Sequence, residues 1–131
     1  MVELVYALVQ VVHNLGAAVL VAGPAAALAW QGRSAAVERR LAWTLLAVWS
    51  LQAASGAGFA ATSYGFKGQL PEVAGAALAA LAIKVAATVA GLGVAALQLR
   101  RDRRPGTASW IAGMTLALVA VTAAAFLRWY L

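Results

Sequence analysis

Four long apolar runs, separated by short polar breaks, constrain this chain more than any other feature. They extend from about Val2 to Trp30, Leu41 to Ser63, Pro71 to Leu99 and Ser109 to Leu131. A helix crossing the ~30 Å hydrocarbon core of a bilayer needs roughly 20 apolar residues at 1.5 Å rise each. All four runs reach that length, and the first and third exceed it. In lipid every backbone N–H and C=O must be satisfied within the segment, which leaves the helix as the solution for an isolated apolar run. The sequence therefore predicts an all-α integral membrane protein. It reads as a single four-transmembrane-helix bundle over residues 1–131, with helices at about 2–30, 41–63, 71–99 and 109–131. Composition agrees: 64% of the residues are hydrophobic and 11% charged, against about half and about a quarter in soluble domains.

The breaks carry turn and interface chemistry. Gln31-Gly32-Arg33-Ser34 ends the first helix, and Glu38-Arg39-Arg40 opens the second. Tyr64 to Pro71 reads as a glycine-bounded loop, with Pro71 suited to the first turn of the third helix. Arg100 to Gly106 is the sharpest break. Trp30, Trp43, Tyr64, Phe66, Trp110, Trp129 and Tyr130 lie near helix ends, where amphipathic rings favour the membrane interface. Pro24, after Gly23, is expected to kink or loosen the end of the first helix. The first segment has no basic leader and runs far beyond a signal-peptide core, so it reads as a retained helix.

The charges set orientation. Arg33, Arg39, Arg40, Arg100, Arg101, Arg103 and Arg104 fall in the first and third breaks, while Lys67 and Arg128 fall on the other side. The positive-inside rule then places the first and third loops in the cytoplasm and both termini outside (N-out/C-out), in a bacterial inner membrane. These arginines form no broad face, so the net charge of +6 does not point to nucleic acid. The lipid bilayer is the expected partner, together with a homo-oligomer or a larger membrane complex. With no cysteine, disulfides, thiolate metal sites and cysteine nucleophiles are excluded. No catalytic triad, paired carboxylate or phosphate-binding glycine loop is present, and the chain reads as a non-enzyme.

Polar residues at membrane depth carry the functional signal, because they are expensive there. His13 and Asn14 lie mid-way along the first helix, with Gln10 one turn before them. Gln52 and Ser55 form a similar pair in the second helix. Lys84 lies near the centre of the third, with Thr88 one turn later. Counting rise per residue puts His13, Gln52 and Lys84 near one midplane level, which predicts a single internal cluster. Within the spans Lys84 has no carboxylate at its depth. It is either a structural lysine bonded to carbonyls and Gln52, or the partner of an anionic or carbonyl-bearing ligand or of another subunit. His13 is either a neutral histidine bonded across helices or a ligand to copper or haem b iron. A lone histidine would leave a haem needing its second axial ligand from elsewhere. Copper transport normally recruits methionine or cysteine, and Met1 and Met114 are the only methionines.

The segment His13-Asn14-Leu15-Gly16-Ala17-Ala18-Val19-Leu20-Val21-Ala22-Gly23 resembles the first helix of the copper-resistance protein D (CopD)-like membrane domain. Thr62-Ser63-Tyr64-Gly65 followed by Ile83-Lys84-Val85 is similar to that family's tyrosine-glycine turn and the lysine of its next helix. The run Ala95 to Arg101 is similar to the end of that helix. The resemblance covers roughly residues 10 to 104. Leu20 stands where tryptophan is usual, and Gly23-Pro24 replaces paired glycines. The resemblance implies a membrane component tied to copper handling, with His13 and Lys84 as its functional positions. The residues themselves also fit an accessory subunit of a respiratory or photosynthetic complex at a haem or quinone site. The ligand-binding set read from the sequence is His13, Asn14, Gln52 and Lys84, with His13 as the candidate metal ligand. The orientation is checked by fusing alkaline phosphatase to the C-terminus: an external terminus gives an active fusion, whereas an active cytoplasmic reporter at the same point overturns it.

Overall fold

A computed structural model describes residues 1–70, 72–100 and 102–130. Four α-helices account for most of them: α1 (Val2–Ala29), α2 (Ala35–Lys67), α3 (Gly75–Gln98) and α4 (Thr107–Tyr130). Each is long and apolar enough to cross a membrane. They form a ring in which α1 packs on α2 and α4, and α3 packs on α2 and α4. The pairs α1/α3 and α2/α4 are the diagonals. Large apolar side chains such as Leu8, Leu15, Val89 and Phe126 cover the outside, the pattern of a bundle whose outer face meets lipid.

The inside is built on a seven-residue rhythm. α1 buries His13, Gly16, Leu20, Gly23 and Ala27. α2 buries Ala42, Leu45, Trp49, Gln52 and Ser55. Spacings alternating between three and four keep one stripe facing the bundle axis. α3 and α4 bury almost only small residues along their own stripes, among them Ala87, Gly91, Ala95, Gly113, Ala117 and Ala123. Small residues let backbones approach closely, and close packing is the main attraction between helices in lipid. Trp49 illustrates this: its indole occupies the space that a Cβ on Gly91 would need. A Cβ on Gly23 would likewise come within 2.9 Å of Leu45.

Several boundaries differ from the apolar runs. α2 spans 35–67 rather than 41–63, because charged residues beyond the lipid stay helical where their backbone is capped. The Ser34 hydroxyl accepts a hydrogen bond from Val37 N at 3.2 Å and starts the helix before Glu38-Arg39-Arg40. At the other end, the stretch from Tyr64 expected as a loop is helical to Lys67. It stops at Gly68, whose φ of +70° is the left-handed cap that glycine adopts without strain. α3 begins at Gly75, not at residue 71. Pro71, expected in its first turn, lies outside the described residues, as does Arg101 of the basic loop. Pro24 does not end α1, which continues to Ala29; its ring is buried facing Gly113 of α4.

Trp110 differs from the other aromatic residues near helix ends. Expected at the membrane interface, it is instead fully buried inside the bundle (0% exposed), with the Arg33 guanidinium 6.0 Å above its ring. Arg33 is held there by Glu38, whose Oε1 lies 2.9 Å from Arg33 Nε, and Oε2 accepts from Arg104 Nε at 2.9 Å. The first contact is an ion pair by distance without hydrogen-bond alignment, since Arg33 Nε has no hydrogen-bond partner. Glu38, itself only 4% exposed, thus ties the α1–α2 loop to the α3–α4 loop. Trp30, Trp43, Tyr64, Phe66, Trp129 and Tyr130 are exposed at helix ends, as expected.

Gly91→Ala is expected to lower stability by about 1–3 kcal/mol, the usual cost of overpacking, because the rigid Trp49 ring has to move. Gly93→Ala, with open space around it, is expected to be neutral or slightly stabilising. Thermal unfolding in detergent compares the two, and equal midpoints would show that the Trp49–Gly91 contact does not hold α2 to α3.

Candidate functional site: a polar cluster inside the bundle

The three residues expected at one level do meet. His13 lies on the buried stripe of α1, Gln52 and Ser55 lie on that of α2, and Lys84 reaches in from α3. Lys84 Nζ is 3.0 Å from His13 Nε2, although α1 and α3 are diagonal in the ring. The two side chains therefore meet across the bundle interior. α4 brings only small residues to its own buried stripe below Trp110, which leaves room for that reach.

The hydrogen bonds form a directional chain. Ser55 Oγ donates to the Gln52 carbonyl oxygen at 3.2 Å. A serine hydroxyl has one hydrogen, so toward His13 its oxygen acts as acceptor, and His13 Nδ1–H donates to it at 2.7 Å. Nε2 is then the ring's acceptor, and the Lys84 amine donates to it. The tautomer follows from the network, as such assignments do. Gln52 Nε2 separately donates to the His13 backbone oxygen at 2.6 Å. That amide sits where Gly16 has no side chain, since a Cβ there would lie 2.5 Å from it. Gly16 is thus the notch that seats Gln52, and Gln52 in turn fixes the α1 backbone beside His13.

Both ring nitrogens of His13 are consequently engaged, while the Lys84 amine is not fully used. A charged ammonium carries three N–H donors and a neutral amine two; one is directed at His13. Among the described residues no carboxylate pairs with Lys84. Thr88 does not help, because its hydroxyl donates back to the Lys84 carbonyl at 2.9 Å.

Asn14 does not join the cluster. Adjacent residues on a helix point about 100° apart, and with His13 inward Asn14 is exposed. It accepts from Gln10 Nε2 at 2.7 Å on that outer face. The three- and four-residue spacing of Gln10 from His13 and Asn14 predicts one shared face for all three; that holds for Gln10 and Asn14 alone.

Two aromatic residues not singled out from the sequence complete the surroundings. Phe59 sets its ring edge-on to His13, with centroids 5.7 Å apart, and Tyr6 stacks on Phe59 at 6.4 Å. The two rings also line a cavity of about 440 Å³, together with Ser63, Lys67, Gln69, Leu70 and Glu72. His13 does not line it. The periodicity that marks His13 contains this signal: Tyr6 lies seven residues before His13, and Phe59 four after Ser55.

Ser55→Ala is expected to cost about 1–3 kcal/mol, because the buried Nδ1–H loses its acceptor. Ser50→Ala, whose exposed hydroxyl only bonds back to the Leu46 carbonyl, is the control and should change little. Denaturation of both variants in detergent measures the difference; indistinguishable variants would remove Ser55 from the network.

No protein-family model, curated protein or solved structure matches this chain.

Proposed function

We propose that this chain is a small membrane protein of CopD-like character that binds, and passes into its bundle, a small anionic or carbonyl-bearing solute at Lys84 and His13. The observation that carries the reading is the Lys84 amine. It lies inside an apolar helix, bonded to a neutral acceptor, with at least one donor unspent. A cationic donor in hydrocarbon is stabilised by an acceptor that returns what dehydration removes. A carboxylate, an oxyanion or a polarised carbonyl supplies that. His13 is held by Ser55 so that Nε2 faces Lys84 and fixes where the amine points. Gln52 holds the backbone beside it.

The cavity lined by Tyr6 and Phe59 gives the solute its approach. The arginine asymmetry supports an orientation with that cavity and both termini on the external side of a bacterial inner membrane. Phe59 lines the cavity and sets its ring against His13, so passage requires it to swing aside.

Copper or haem b at His13 fits this geometry less well. Either metal needs an imidazole nitrogen, and both are occupied. A lysine amine 3.0 Å from Nε2 would, when charged, repel a metal cation there. Further ligands would also have to come from elsewhere, since among the described residues no three His, Cys, Asp or Glu side chains converge. The CopD-like character therefore rests on the positions of His13 and Lys84 and not on a copper site formed by this chain alone.

The unspent donor also favours a second reading, an accessory subunit of a larger respiratory or photosynthetic complex. In that case a carboxylate on a neighbouring subunit, or on a second copy, meets Lys84. Lys84→Met separates the two. Native mass spectrometry of the gently solubilised wild type is expected to show a small-molecule adduct on this chain. The variant should keep its helicity and bind that molecule roughly 10- to 100-fold more weakly, as loss of a charge-assisted hydrogen bond implies. An adduct that survives the substitution overturns the solute reading. Loss of a co-purifying polypeptide instead, with no adduct on the wild type, establishes the subunit reading.

A further inference from the structure

The arginine-rich end of the bundle carries a second cavity, of about 250 Å³, between the start of α2 and the end of α3. Its charged lining is Glu38, Arg39, Arg100, Asp102, Arg103 and Arg104. The two carboxylates are already used. Glu38 is shared by Arg33 and Arg104 at 2.9 Å each, and Asp102 lies 3.4 Å from Arg100. Arg39 makes only a long contact, 3.5 Å, to the Leu99 carbonyl. Arg103 has no hydrogen bond or ion pair among the described residues. Two guanidinium groups therefore border the cleft with most of their donors unspent. Such planar forks match the oxygens of a phosphate.

The surroundings favour a phosphate attached to a lipid. The cleft lies at the end of two membrane-length helices. One turn along α2 from Arg39, and so on the same side of that helix, is Trp43. Three residues before Arg100 on α3 is Leu97. Trp43 is 54% exposed and Leu97 62%, and α2 and α3 are neighbours in the ring. Basic groups at the helix ends thus continue into apolar surface in the membrane direction, which is the order of headgroup and acyl chain.

We propose that this cleft binds the phosphate of an anionic phospholipid through Arg39 and Arg103, with an acyl chain running over Trp43 and Leu97. The Glu38 pairs make the site possible: they neutralise the one buried carboxylate in the cleft and hold both loops at its edges. The assignment is independent of the intramembrane cluster.

The test uses the full chain in nanodiscs of phosphatidylcholine containing a minor fraction of phosphatidylglycerol, released into native mass spectrometry. The wild type is expected to retain phosphatidylglycerol in excess over its share of the bilayer. Arg39→Gln/Arg103→Gln should cut that excess roughly tenfold, from the loss of charge-assisted bonds. Arg128→Gln, at the opposite end, should leave it unchanged, and circular dichroism confirms that each variant is folded. Excess inorganic phosphate at constant ionic strength should not displace the lipid. No enrichment in the wild type, or equal enrichment in the double variant, overturns the proposal. Displacement by inorganic phosphate overturns the lipid and makes a soluble phosphate the ligand.

Discussion

In a bilayer, an apolar side chain gains nothing by turning inward, since lipid tails are as apolar as leucine. The interior of this bundle is therefore decided by close contact and by polar bonding. Both are visible in its stripes. Large apolar residues crowd the outside, while glycine, alanine and a few rigid or polar groups line the axis. Trp49 needs Gly91, Leu45 needs Gly23, and Gln52 needs Gly16. Each pair puts one bulky group against one missing side chain, and each fixes the register of two helices. The polar cluster depends on this packing, because Gln52 reaches the His13 carbonyl only across the notch at Gly16.

The number of helices and the common level of His13, Gln52 and Lys84 along the bundle were legible from hydropathy and rise per residue alone, because both follow from counting along the chain. What counting misses is direction. His13 and Asn14 share a depth, yet only one faces inward, and the inward stripe of three-and-four spacings selects His13 together with Gly16, Leu20 and Gly23. Tyr6 and Phe59 lie on the same stripes, but in an apolar background nothing sets two aromatic residues apart from ordinary packing. The ends of α2 were misjudged for another reason. Hydropathy reports where lipid ends, whereas a helix ends where its backbone finds a cap. Ser34 and Gly68 provide those caps several residues beyond the apolar run.

The two ends of the bundle differ in how they are held. At the arginine-rich end, Glu38 links Arg33 and Arg104, Arg104 also donates to the Arg33 carbonyl at 3.1 Å, and Arg33 covers Trp110. Such a knot joins two loops that are far apart in sequence, and the burial of Glu38 screens it less from water and salt than an exposed pair. At the opposite end, the α2–α3 connection contributes a long bond from the Ser63 hydroxyl to the Gln69 carbonyl at 3.4 Å, and the cavity there is lined by a pair of stacked rings. Rings are moved by rotating side chains, whereas the knot opens only by separating charges.

That asymmetry bears on how the cluster works. A lysine inside lipid is stabilised only while its donors have acceptors. His13 Nε2 supplies one and is itself fixed, through Nδ1, Ser55 and the Gln52 carbonyl, to the backbone of α2. The acceptor therefore does not follow the amine if Lys84 moves. On the proposed function, a solute arriving past Phe59 would meet an amine already aimed and a histidine that cannot turn away. Binding of that kind would consist of filling a donor that the fold has left open, with little side-chain ordering left to oppose it. The tied end keeps the helices in register while, on that proposal, the aromatic end admits the solute, so the same four helices are closely packed and still hold a polar cluster between them.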